Sequence, residues 1–133
     1  MPDSSLSAQE SKALVARFLE AWEHRDLPTI LSCFCEDAVY HNVPVAPIEG
    51  IDGIRAVFEG FLDVFDRVEL EPVRMAAEPD LVFSERIDHF RLKDGTTFDL
   101  PVNGVFELTD GKIRRFSDYF DLHTFESGSG VKL

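Results

Sequence analysis

Between residues 67 and 122 the chain alternates apolar and polar side chains almost without a break, interrupted at Glu78-Pro79-Asp80, Lys93-Asp94-Gly95 and Asp110-Gly111. A two-residue period over that length, punctuated by turn residues, predicts consecutive hairpin strands, here at 67–77, 81–92, 97–108 and 112–122. The period changes upstream. Leu14, Val15, Phe18, Leu19 and Trp22 form a helical stripe that begins behind a Ser7/Glu10 capping box. Asp26 is expected to cap a second, short helix carrying Ile30, Leu31 and Phe34. EDAVYHNVPV then reads as a strand, ended by Pro44 and Pro47. A third helix, capped by Asp52, carries Ile54, Val57, Phe58, Phe61, Leu62 and Phe65.

Helices first and strands afterwards is an α+β order. The expected fold is a curved, mixed but mainly antiparallel sheet wrapped around three N-terminal helices, with a cavity between them. With 133 residues the chain is expected to form a single domain, residues 1–6 and 127–133 being flexible.

Two strands carry charge where a core face should be. Val82, Ser84, Arg86, Asp88, Phe90 and Leu92 share one face of 81–92, and Phe116, Asp118 and Phe120 share one face of 112–122. Between them, Phe98, Leu100, Val102, Gly104, Phe106 and Leu108 form the apolar face of 97–108. If facing residues keep even parity, the turns set Asp88 opposite Val102 and Val102 opposite Asp118, a single row across three strands. Gly104 then leaves room for the Arg86 guanidinium to reach both carboxylates. Buried charges must satisfy one another. Two carboxylates on one arginine can differ in protonation, one giving a proton and the other taking it. The competing structural reading is an Asp–Arg–Asp bridge that only locks the sheet. Ala38, Tyr40 and Asn42 share a face of the first strand, where a phenol and an amide would orient a water beside a carboxylate.

The remaining composition narrows the chemistry. A net charge of −12 argues against a nucleic-acid partner. No apolar run reaches the length of a membrane span, and the N-terminus lacks the pattern of a secretory signal, so a cytoplasmic protein is expected. Cys33 and Cys35 read as small apolar fillers, and His24, His41, His89 and His123 show no metal-binding spacing. No metal is expected from them. His41 and His89 point away from the candidate site.

The segments AVYHNVP (38–44), SERIDHF (84–90), FDLPVNGVFELTDGKI (98–113) and SDYFDLHTF (117–125) resemble the limonene-1,2-epoxide hydrolases, within the nuclear-transport-factor-like, SnoaL-like cone folds. The resemblance spans about residues 13–125. It implies hydrolysis of an epoxide to a vicinal diol in one step, without a covalent ester, metal or organic cofactor. In that scheme Asp118 is the general base on water, Asp88 the general acid on the epoxide oxygen and Arg86 the bridge, while Tyr40 and Asn42 position the water. It also implies an apolar pocket, expected to be lined by Phe61, Phe65, Phe90, Leu100, Val102, Phe120 and Phe125, for a small lipophilic epoxide, and the abundance of Phe suggests a bulky or cyclic one. A homodimer is expected through the outer sheet face, with Phe83, Ile87, Val105, Ile113 and Tyr119. The alternatives are a ketosteroid-isomerase-like or polyketide-cyclase-like acid/base enzyme, and a non-catalytic domain that binds a lipophilic ligand.

Overall fold

The computed structural model describes residues 5–133. Its elements run α1 (Ala8–Glu23), α2 (Leu27–Ser32), β1 (Phe34–Asn42), β2 (Ile48–Glu49), α3 (Ile51–Val64), β3 (Phe65–Glu78), β4 (Leu81–Leu92), β5 (Thr97–Thr109), β6 (Lys112–Tyr119) and α4 (Leu122–Ser129). The six strands form one sheet in the order β2-β1-β6-β5-β4-β3. Among the described residues only β1 and β6 pair in parallel, which makes the sheet mixed but mainly antiparallel. This is the α+β architecture expected from the element order, in the cone form that the resemblance implies.

The helix starts follow the sequence signals closely. Ser7 accepts from the backbone of Glu10 and the Glu10 side chain accepts from Ser7, the reciprocal box that satisfies two free N–H groups. Asp26 caps α2 through the Thr29 N–H and hydroxyl. At α3 the expectation fails: the N-cap is Gly50, at φ 85°, and Asp52 lies inside the first turn. There its charge complements the helix dipole without a capping bond.

The helices cover the concave side of the sheet. Phe18 of α1 meets Phe34, Phe106 and Phe116 edge-on at 5.4–5.8 Å, which places the densest aromatic packing under β1, β5 and β6. Phe65 was expected on the third helix but opens β3 with extended backbone. The strand read at 112–122 stops at Tyr119, and a fourth helix follows. Asp121 caps it through Thr124, and Gly130 ends it in the left-handed region. Residues 127–129, expected in a flexible tail, form its last turn.

The facing pairs around the cluster keep even parity, but the register is offset by two residues from the expected one. Asp88 faces Leu100, Arg86 faces Val102 and Ser84 faces Gly104 across β4 and β5. Gly104 in turn faces Asp118 across β5 and β6, so the row of Asp88, Val102 and Asp118 does not exist. Two local causes explain the shift. The β4–β5 turn closes one residue earlier than assumed, with Leu92 N–H donating to Thr96 O at 2.8 Å. The β5–β6 turn has only Asp110 and Gly111 at its tip, both at positive φ, as a tight two-residue hairpin requires. A bulge between Glu107 and Leu108 then restores the faces. That bulge turns Ile113 inward, where it is fully buried, so it is not part of the outer face to which it had been assigned.

Candidate active site

On the concave face, successive side-chain rows run across the sheet. Ser84, Gly104, Asp118 and Asn42 form one row over four strands. Arg86 and Val102 form the next, and Leu70, Asp88 and Leu100 the one after. Arg86 therefore stands in the row between the two aspartates. The guanidinium can face one carboxylate on each side.

It does so with every donor it has. Nε and Nη2 donate to Asp88 Oδ1 and Oδ2, both at 3.0 Å. Nη1 and Nη2 donate to Asp118 Oδ1 and Oδ2 at 3.1 and 2.9 Å. The remaining Nη1–H donates to Ser84 Oγ at 3.2 Å. All five N–H groups of the planar fork are engaged. Ser84, which the sequence reading passed over, supplies the fifth acceptor; its place on the same strand face, two residues before Arg86, was the available signal.

The cluster is sealed from solvent: the Arg86 side chain is fully buried, and those of Asp88 and Asp118 are 6% and 9% exposed. The guanidinium also lies over the Phe116 ring, 5.7 Å from its centre. Burial alone would make Arg86 easier to deprotonate, but Asp118 and Asp88 together hold it charged beyond its ordinary range. Burial pushes Asp118 up to about 6, against the pull of Arg86. Such a carboxylate is ionised at neutral pH and is a stronger base than an ordinary aspartate.

Tyr40 and Asn42 enter from β1, the parallel neighbour of β6. Asn42 pairs with Asp118 in the ladder, and the Tyr40 hydroxyl donates to Asn42 Oδ1 at 2.8 Å. That bond fixes the amide and leaves its NH₂ to serve the cavity that Asn42 and Asp118 both line. Burial, and then the Asp118 charge, push the Tyr40 phenol upward, so it stays neutral and donating.

The cavity is apolar apart from this cluster. Phe61, Phe90, Leu100, Val102, Phe120 and Phe125 line it as expected from the sequence. Phe65 does not. Its ring packs behind the wall, 4.7 Å from Phe90, because β3 has already begun there. Lining residues that the sequence reading missed include Trp22, Phe58 and Phe116, which read equally well as ordinary core. Leu133 also reaches the cavity, beyond the unforeseen helix α4.

The remaining polar candidates lie elsewhere. His89 is held between Glu71 and Asp99, both at 2.7 Å, on the outer face. His41 sits against the Val45 carbonyl and Arg115, and His123 against Ser127. Cys33 is buried beside α2, Cys35 is partly buried, and burial pushes both thiols up. Among the described residues no group of three or more His, Cys, Asp and Glu side chains is arranged to hold a metal ion, and no helix is long and apolar enough to cross a membrane.

The SnoaL-like domain profile matches residues 15–116. Epoxide hydrolase EphG of Mycobacterium tuberculosis is 31% identical over 115 residues, covering 86% of this chain and 75% of that protein. A solved LEH-like epoxide hydrolase from M. tuberculosis superposes with a TM-score of 0.80 at 28% identity, over 92% of this chain and 90% of that one. A putative polyketide cyclase from Xanthomonas campestris pv. campestris superposes at 0.84, covering 92% and 98% of the two chains, but at 22% identity it speaks for the fold alone. The chain thus belongs to the SnoaL-like domain family, as a relative of its epoxide hydrolases.

Proposed function

We propose that the protein hydrolyses a small lipophilic epoxide to a vicinal diol, using Asp118, Arg86 and Asp88 without a covalent intermediate. The observation that carries this reading is the double bidentate clamp: one buried guanidinium holds two carboxylates that both line an apolar cavity. A bridge serving stability alone has no need to present both acids to a cavity.

Asp118 is the base because the amide–phenol pair stands beside it in the ladder. A water accepting from the Asn42 NH₂ would donate one hydrogen to Asp118. Its oxygen attacks an epoxide carbon, the C–O bond of the ring breaks, and Asp88 as general acid gives its proton to the released oxygen. Asp118 ends protonated and Asp88 ionised; moving one proton from the first to the second resets the pair. Arg86 keeps both oxygen pairs fixed through these changes, so little reorganisation accompanies proton transfer. The aromatic wall favours a lipophilic and cyclic substrate.

We also propose a homodimer through the convex face. Phe83 and Tyr119 are each 52% exposed there, close to Val105, which faces Phe83 across the ladder.

A single turnover in H₂¹⁸O with enzyme in excess tests the chemistry. One ¹⁸O in the first diol formed agrees with direct attack of water. An unlabelled first diol, with label later found in an aspartate, would indicate an ester intermediate. An unlabelled isomer would favour the isomerase or cyclase reading.

A further inference from the structure

Among the described residues, one buried side-chain polar atom has no hydrogen-bond partner: Nε1 of Trp22. Trp22 is 4% exposed and lines the same cavity as Asp88 and Asp118. Its ring meets Phe58 edge-on at 4.8 Å, and Phe58 meets Tyr40 at 5.1 Å. The indole thus forms the helix-side wall, one ring away from the phenol that orients Asn42.

The other polar groups of the cavity are matched to one another, Tyr40 with Asn42 and both aspartates with Arg86, apart from the Asn42 NH₂ assigned to the water. An N–H kept from water without an acceptor costs about 1–3 kcal/mol. A phenylalanine would fill most of the same apolar space without that cost, and the chain uses Phe at 12 other positions but Trp only here. The indole donor is best explained by an acceptor that arrives with the ligand.

We infer that the substrate is a lipophilic epoxide bearing a second, uncharged oxygen, a hydroxyl or carbonyl, which accepts a hydrogen bond from Trp22 Nε1 while the epoxide oxygen faces Asp88. An anionic acceptor fits poorly, since no lysine or arginine is among the cavity-lining residues and the chain carries a net charge of −12. This inference rests on the epoxide reading but names a feature of the substrate that hydrolysis alone does not require.

Because Trp22 is the single tryptophan, one indole N–H resonance reports on it. Asp118→Asn protein, labelled with ¹⁵N, is titrated with a monoterpene epoxide and with its analogue carrying a ring ketone. The ketone is expected to move the indole proton downfield, and the hydrocarbon epoxide to leave it or shift it upfield. No displacement by the ketone, or equal displacement by both, would overturn the inference. In turnover by the otherwise unaltered enzyme, the oxygenated epoxide should have the higher kcat/KM by about tenfold, the equivalent of 1.4 kcal/mol. In Trp22→Phe that ratio should collapse toward one; a ratio that survives the substitution counts against the inference. If neither epoxide is turned over, the hydrolase reading fails, while the indole shift on binding still decides whether Trp22 meets an acceptor. Should Trp22→Phe not fold, the titration stands by itself.

Discussion

Gly104 stands directly opposite Asp118 across the β5–β6 ladder, and the space its missing side chain leaves is where the Arg86 guanidinium lies. A Cβ built there would fall 2.6 Å from Asp118 Oδ1 and collide with Arg86 Nη1. Gly104→Ala should therefore destabilise the fold by about 1–3 kcal/mol through overpacking, and it should displace the clamp. Thermal unfolding and diol formation on the same preparation check this. Unchanged stability and turnover would mean that the guanidinium is not confined there.

Removing the cation exposes what it neutralises. Arg86→Met leaves two buried carboxylates without a partner and should cost about 3–5 kcal/mol at neutral pH. Acidification should recover part of that loss as Asp118 takes up its proton. Urea denaturation at a neutral and a mildly acidic pH measures both effects. A loss that does not depend on pH would point to packing instead.

The raised pKa of Asp118 has two consequences with different readouts. Catalysis needs its ionised form, so kcat/KM should fall about tenfold per pH unit below about pH 6 and level off above it. For stability, the folded group holds its proton more tightly than the ordinary value of 3.8. Its contribution is complete below about pH 4 and is lost as pH rises through about 6, opposite to an ordinary ion-paired aspartate. Comparing the unfolding free energy with that of Asp118→Asn across this window isolates the term. An acid limb near pH 4 would contradict the shift.

The dimer is tested at Phe83. Phe83→Glu places charge on the exposed apolar face without touching the cavity, and should convert a dimer to a monomer in light scattering coupled to gel filtration. A protein that is monomeric before the substitution would end the proposal.

The fold was legible because its two periodicities are clean and its first two caps are strong. The residues of the cluster were legible too, since Arg86, Asp88 and Asp118 break otherwise apolar strand faces. What parity could not give was the register, because an Asp110-Gly111 turn followed by a bulge changes facing pairs while preserving the inward side of Asp118. Ile113 was misassigned for the same reason. Helix α4 was obscured by Phe120 and Leu122, which continue the strand pattern, although Asp121, Thr124 and Gly130 mark its ends. Ser84 and Trp22 went unseen because a strand serine and a helix tryptophan carry no distinctive spacing; only their neighbours give them meaning.

The most direct measurement is diol formation from a panel of terpene, cycloalkene, aryl and steroid epoxides, by the unaltered enzyme and by Asp118→Asn and Asp88→Asn. Each substitution keeps the shape and removes one proton transfer. We expect at least one epoxide to be hydrolysed, and either variant to lose about 10²–10⁴-fold in kcat while still folded. Full turnover by both variants would show that the paired aspartates hold the sheet together but do not perform the reaction.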